Sequence, residues 1–286
     1  MSPILTKSAS IATLRGPSAL QMVRLFGCLP GTCRADVTVY DEPLRLLEEM
    51  SSAKVEFVTL PTLMEKTLNG KGYSIAAITI WGGLYLCCCA RGVAGVQAQD
   101  YLSFDIHSLR DKTVHSLARG MAPDMLLRHI LDRNGLTPEK DVSFDYSCPT
   151  HRELLKAAME NSISFCVLPE PLLSQALNAN PDLHIVADLA EEWMKVEHTP
   201  LPLTALFVNN ALVGKDVEKA VAETLRQSSQ WVNSCPEEAA ALAVRYGICP
   251  DEDAVRRSIQ RSAFKVVPFD EAEPAIEHFR EIFTVR

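Results

Sequence analysis

The sequence predicts an α/β fold with mainly parallel sheet, built in two successive cycles. Short β-branched runs alternate with amphipathic stretches, the pattern of strands joined by crossover helices. The alternation starts again at "LRDKTVHSLARG". The chain has 286 residues, and at about 150 residues per domain that length suggests two.

In the first cycle the runs Ser10 to Leu14, Asp36 to Tyr40 and Lys54 to Val58 read as strands. The stretches Ser18 to Phe26, Pro43 to Ser51 and Pro61 to Asn69 read as helices. From Gly72 to Ala90 no residue is charged, which approaches the roughly 18 to 20 apolar residues of a membrane-spanning helix. Central Gly82 and Gly83, polar Ser74 and Thr79, and the Ile, Thr, Tyr and Trp content instead favour two buried strands hinged at the glycines.

The second cycle begins with "LRDKTVHSLARG" and runs strand, helix Pro123 to Arg133, strand Val142 to Tyr146 and helix His151 to Glu160. Strand Ile163 to Leu168 and helix Glu170 to Ala179 complete it. Strand 201–209 then leads to four helices, Lys215 to Asn233, Pro236 to Tyr246, Asp251 to Ser262 and Glu271 to Phe283, expected to have no sheet of their own.

"LRGPSALQMVRLF" and "ARGMAPDMLLRHI" echo each other: each has Arg-Gly, a Pro, an apolar helical stripe and a second Arg nine residues after the first. Each predicts a strand ending at Arg-Gly and a helix starting at once, with free N–H groups and the positive dipole end aimed beyond the strand. Such junctions are also ordinary in α/β proteins, since Pro suits a first helical turn.

The charge of −8 and the lack of a long Lys/Arg block argue against nucleic acid as a partner. The first twenty residues lack the continuous apolar core and small-residue cleavage site of a secretory signal, as in a cytosolic protein or a chain already processed. Nine cysteines are an odd number, so at least one thiol is expected free. There is no HExxH, GxSxG or GxxxxGK[ST], which removes the usual signs of a zinc hydrolase, a nucleophile elbow and a phosphate loop.

"LRGPSALQMVRLF", "VTLPTLMEK", "ITIWGGLYL", "RDKTVHSLARGMAPDMLLRHILDRNGLTPEKDV", "FCVLPEPLLSQAL" and "LPLTALFVNNALV" together resemble the substrate-binding proteins of ABC importers of the nitrate, sulfonate, taurine and thiamine-precursor type. The resemblance covers Ser10 to Tyr246 in order and is most specific over 111–140. It implies a type II periplasmic-binding clamshell of two lobes, residues 1–107 plus 203–286 and residues 108–202, with crossings near Asp105 to Leu109 and Val196 to Pro202. It also implies a small organic ligand between the lobes, and a membrane permease with its ATPase as partners. A periplasmic or cell-surface location, a monomer, and neither catalysis, cofactor nor metal complete the expectation; an enzyme of thiamine or quinone precursor synthesis on the same scaffold is the alternative.

Carried over by position, the implied ligand contacts are Gly16, Pro17 and Ser18, then Leu60, Pro61 and Thr62, then Trp81 and Gly82. The second lobe would add Gly120, Met121, Ala122 and Pro123, then Pro169 and Glu170. Many relatives have Thr or Ser where this chain has Ala122, which removes one hydroxyl donor for an anion at that helix start. Arg15 and Arg119 suit a bidentate clamp on a carboxylate or a solvated charge at a strand end. Ser18 suits ligand donation or helix capping, Trp81 stacking or core filling. Glu170 suits a first-turn acid or an acceptor for a ligand amine, and Asp124 a dipole-complementing acid.

The run Cys87, Cys88, Cys89 invites comparison with the Cys-Cys-Cys-Phe-Cys motif of the fungal synthase of the thiamine pyrimidine, but that motif lies later in its chain and has a fourth Cys. In a strand Cys87 and Cys89 face one way and Cys88 the other, and zinc wants four ligands at paired spacing. They are expected to be buried packing residues. Cys28 and Cys33, across "LPGT", are the one local pair with disulfide reach.

Overall fold

The computed structural model describes residues 8–26, 35–52, 55–89 and 104–284. The chain forms two compact units, Met1–Trp81 with Pro202–Arg286, and Gly82–Leu201. In chain order the first unit begins with β1 (Ala9–Leu14), α1 (Pro17–Gln21), β2 (Ala35–Tyr40), α2 (Pro43–Ser52), β3 (Phe57–Pro61), α3 (Glu65–Asn69) and β4 (Tyr73–Ile80). The second holds β5 (Leu84–Cys89), β6 (Thr113–His115), α4 (Ala122–Arg133), β7 (Ser143–Asp145), α5 (His151–Met159), β8 (Phe165–Pro169), α6 (Leu172–Ala179), β9 (Leu183–Asp188) and α7 (Leu189–Glu197). The chain returns with β10 (Thr204–Asn209), α8 (Asp216–Ser234), α9 (Pro236–Arg245), α10 (Glu252–Arg261), β11 (Phe264–Pro268) and α11 (Phe269–Thr284).

Sheet order in the first unit is β11-β4-β10-β3-β1-β2, and in the second β7-β6-β8-β5-β9. In the first, β2, β1, β3 and β4 share one direction, while β10 and β11 run against them. In the second, β7, β6, β8 and β9 share one direction and β5 opposes them. Both sheets are thus mainly parallel, as predicted. The first strand after each crossing, β5 or β10, starts opposite the carboxyl end of a parallel strand, Leu84 against Pro169 and Thr204 against Pro61 and Ile80. A strand entering from that edge can only run back against its neighbours.

The first sheet is covered on both faces. Ala12, Val58, Ile78 and Phe207 pack with Leu46 and Met50 of α2, Leu68 of α3 and Ile276 of α11. Their neighbours Ile11, Phe57, Ala77 and Leu206 pack with Met22 and with Val221 and Leu225 of α8. Successive residues of a strand serve opposite faces, and each fully buried large side chain contributes about 1.5–3 kcal/mol.

Four features differ from the sequence expectation. The chain divides at Trp81/Gly82, earlier than the predicted crossing at Asp105 to Leu109, because β5 pairs with β8 and β9. The tail does contain a strand: β11 adds to the sheet beside β4, with Phe264 opposite Ile80. The second unit gains β9 and α7 beyond Ala179. The two short helices after β1 and β3 break into an α-turn and a 3-10 turn, Val23–Leu25 after α1 and Thr62–Met64 before α3. The charge-free stretch does form two buried strands, β4 and β5, and no helix of the described residues is long and apolar enough to cross a membrane.

Candidate functional site

In each sheet the chain order reverses at one place. β1 is followed in the chain by β2 on one side and then β3 on the other, and β6 by β7 and then β8. Loops leaving such adjacent strands diverge to opposite sides and leave a crevice at the carboxyl edge, where open α/β sheets bind ligands.

In the first unit this edge carries Arg15 to Ser18 after β1 and Thr62 after β3. Gly16 has φ 121° and ψ −143°, a conformation essentially reserved for glycine, and lets Pro17 open α1 directly. Ser18 is buried, but no side chain caps α1, so the capping role does not apply. Arg15 ion-pairs with Asp41 and also donates to the carbonyl of Gly247. Leu60 points into the core, and Pro61 ends β3. Thr62 donates its N–H to the Leu203 carbonyl at 3.0 Å; it is 2% exposed, and its Oγ1 has no hydrogen-bond partner among the described residues.

In the second unit Ser116 follows β6. It donates its N–H to the Asp145 carbonyl at 3.0 Å, is fully buried, and its Oγ likewise has no partner among the described residues. Beside it, His115 Nε2 lies 3.6 Å from Asp145 Oδ2, with Nδ1 buried and unpartnered. The loop continues through Arg119, whose side chain is 70% exposed and 3.7 Å from Glu139, and Gly120 at φ 81°. Met121 is exposed and precedes α4; Ala122 and Pro123 form its first turn.

Asp124, 1% exposed, organises this loop. Its Oδ2 accepts the Gly120 N–H at 2.7 Å, and its Oδ1 accepts Arg128 Nε at 2.6 Å and the Tyr146 hydroxyl at 2.7 Å. Arg128 also reaches Glu139 and lies 4.0 Å over the Phe144 ring, and hydrogen bonds to Glu139, Tyr146 and Asp124 outweigh its desolvation and hold its guanidinium firmly charged. Burial, reinforced by the bond to Asp124, pushes the Tyr146 phenol up. After β8, Glu170 is buried; its carboxylate accepts the Ser174 N–H and hydroxyl, each at 3.1 Å, and so caps α6. Asp188 ends β9 and accepts the Ala190 N–H at 2.8 Å, and burial raises its carboxyl above the ordinary value.

The structure thus brings Gly16, Pro17, Ser18, Pro61 and Thr62 together in one unit, and Gly120 to Pro123 and Pro169 along one edge of the other. Trp81 packs against the cluster that holds Ala12 of β1 and Leu60 of β3. Its indole N–H donates to the Lys265 carbonyl of β11 at 2.8 Å, and the ring lines a pocket of about 460 Å³ with Asn233, Gln260 and Phe264. Gly82 opens the second unit. Sequence reasoning missed Ser116; its place directly after "TVH" and before the Arg-Gly turn was the available signal.

All three cysteines of β5 are buried. Cys87 and Cys89 share a cluster with Cys166, which stands opposite Cys87 on β8, a neighbour the sequence did not reveal. Burial pushes the Cys89 thiol up to about 12, and Cys166 is raised by the Cys87 thiol and by burial. No metal-binding group of His, Cys, Asp or Glu occurs among the described residues. Cys28 and Cys33 lie outside the described residues.

Two mainly parallel sheets, each entered by one reversed strand and joined by two crossings, define the type II periplasmic-binding fold. No family model matches the chain, and no curated protein matches it in sequence. Among solved structures it is similar to an ABC transporter protein from Parabacteroides distasonis, at 23% identity and TM-score 0.80, covering 96% of this chain and 91% of that one. The periplasmic aliphatic sulphonate binding protein SsuA of Escherichia coli matches at 13% identity and TM-score 0.73, over 99% of this chain and 87% of that one. The periplasmic nitrate-binding protein NrtA of Synechocystis PCC 6803 matches at 15% identity and TM-score 0.61, over 92% and 74%.

Proposed function

We propose that this protein is a solute-binding protein that takes a small organic molecule between the carboxyl edges of its two units and delivers it to an ABC importer permease and its ATPase. It works outside the cytoplasm, as a monomer, and binds without turning its ligand over. The solved structures that share its fold include the ligand-binding component of an ABC-type import system from Staphylococcus aureus and periplasmic sulphonate- and nitrate-binding proteins, which supports this reading.

The observation that carries it is the pair of buried, unpartnered hydroxyls at the two switch points, Thr62 and Ser116. A buried hydroxyl without a partner costs about 1–3 kcal/mol. Gln21 Oε1, Arg24 Nε and Thr199 Oγ1 also lack a partner among the described residues, but none of them is the first residue after a strand, as Thr62 is after β3 and Ser116 after β6. A ligand that satisfies Thr62 and Ser116 together would favour the closed arrangement, which is how differential affinity drives hinge closure. Ser18, Gly16, Pro17, Pro61, Gly120, Met121, Ala122 and Pro169 supply the surrounding walls.

Native mass spectrometry of the purified full chain, followed by titration of the retained molecule into Thr62→Val and Ser116→Ala, tests the reading. Each variant is expected to bind about tenfold more weakly, the loss for one hydrogen bond of about 1.4 kcal/mol. Undiminished binding in both variants, or conversion of the molecule to product, would overturn it.

A further inference from the structure

The face of β5 that carries Cys87 and Cys89 meets a third sulfur. Cys166 of β8 is the direct cross-strand partner of Cys87, and directly opposite residues of a strand pair project to the same side of the sheet. Cys87, Cys89 and Cys166 accordingly share one cluster, each fully buried, while Cys88 serves the other face. The Cys87 and Cys166 thiols are in hydrogen-bond contact.

Register decides which two of these sulfurs can join. The Glu170 N–H donates to the Gly83 carbonyl at 2.9 Å and the Cys89 N–H to the Ser164 carbonyl at 2.8 Å. Bonded pairs therefore fall at every second step of this ladder, and Cys87 with Cys166 is one of them. Such pairs stand about 5.5 Å apart at Cα, inside the roughly 4.4–6.8 Å that a disulfide spans. Cys89 lies diagonal to Cys166, at about 7–8 Å, beyond that reach. Closing a bond between Cys87 and Cys166 draws the Cβ atoms from about 5 Å to about 3.8 Å, which strains the bond and leaves it easier to reduce than a relaxed one.

We propose that Cys87 and Cys166 are a redox pair, closing to a cross-strand disulfide when the chain folds in the presence of a small disulfide such as oxidised glutathione. One thiolate attacks the oxidant, releases one thiol and forms a mixed disulfide; the second thiolate then displaces the other thiol. Two protein thiols lose two hydrogens, and one small disulfide becomes two thiols. The thiolate is the reacting form, and contact with the Cys87 thiol, together with burial, holds the Cys166 thiol up in the folded chain. Exchange thus belongs to folding, before β5 and β8 close over the sulfurs. The bond ties β5, which follows the division at Trp81/Gly82, to the strand that ends at Pro169. An oxidising space outside the cytoplasm supplies the oxidant, but the pairing follows from the ladder and holds whatever the protein binds.

The test refolds the full chain from denaturant and dithiothreitol in two buffers, one with excess oxidised and one with excess reduced glutathione. Each sample is then unfolded in N-ethylmaleimide without reductant, and its peptides are mapped by mass. The oxidised sample should yield a cross-linked peptide pair two hydrogens lighter than its free parts, with fragment ions placing the bond at Cys87 and Cys166. The reduced sample should carry N-ethylmaleimide on both. Cys88→Ala and Cys89→Ala should keep the cross-link, and Cys87→Ala and Cys166→Ala should lose it; the wild-type map reads the bond directly, so a variant that fails to fold leaves the answer intact. N-ethylmaleimide or glutathione on Cys87 and Cys166 in the oxidised sample, or a bond joining Cys166 to Cys89 as the main product, overturns the proposal and leaves the binding-protein reading standing.

Discussion

Asp124 accepts the backbone N–H of Gly120, four residues before it, at 2.7 Å. The other oxygen of the same carboxylate holds Arg128 and Tyr146, so one buried acid fixes the loop after β6 to α4 and β7. Replacing it by Ala leaves the largely buried Arg128 with Glu139 alone among its acids. We expect Asp124→Ala to destabilise the protein by about 2–4 kcal/mol, read as a fall in melting temperature, with Asp124→Asn recovering part of the loss.

Gly16→Ala tests the entry to α1. An added Cβ meets nothing within 4 Å, so there is no clash, and the whole cost is conformational. At φ 121° it should be about 1–3 kcal/mol, measured by denaturant unfolding; an unchanged midpoint would show that the turn relaxes.

Asp188 gives a dependence on pH. Burial raises its carboxyl above the ordinary 3.8, so the folded chain holds its proton to higher pH than the unfolded chain does. Its stabilising contribution is therefore complete below 3.8 and is lost as pH rises through the raised folded value. Asp188→Asn keeps an oxygen for the Ala190 N–H and removes the titration. The variant should melt about 1–3 °C higher than wild type at pH 7, and the difference should shrink as pH falls toward 4.

The thiols should divide by burial. Cys89, with its thiol up at about 12, and Cys87 and Cys166 beside it should resist iodoacetamide at pH 8 in the folded protein, because the thiolate is the reacting form. Half-buried Cys148 and Cys235 should alkylate. Peptide mass mapping before and after unfolding separates the two groups.

Thr62→Val and Ser116→Ala should each stabilise the ligand-free protein by up to about 3 kcal/mol of removed desolvation cost, read as a higher melting temperature. A binding site that stabilises on losing its polar groups has been holding them for something else; a lower melting temperature in both would mean that the hydroxyls serve the fold.

Part of this was legible along the chain. The charge-free stretch with Gly82 and Gly83 at its centre reads as two strands and folds as β4 and β5, and Gly16 and Thr62 stand where strand-to-helix junctions were expected. Strand β11 escaped because "FKVVP" is five residues between two helices, too short a run to separate from a loop by period alone. Arg15 looked like a ligand clamp because its partner Gly247 lies 232 positions away.

The sequence by itself determined the alternation of strands and helices, the turn glycines and the apolar faces, since these follow from backbone freedom and the spacing of side chains within a few residues. Only the tertiary structure decided that β5 joins the second sheet, that Cys87 faces Cys166, and that Asp124 ties the loop before α4 to Arg128 and Tyr146. It alone left the Thr62 and Ser116 hydroxyls without partners among the described residues. Hydrogen-bond satisfaction depends on groups brought together from distant parts of the chain, and a local pattern carries no record of which of them will meet.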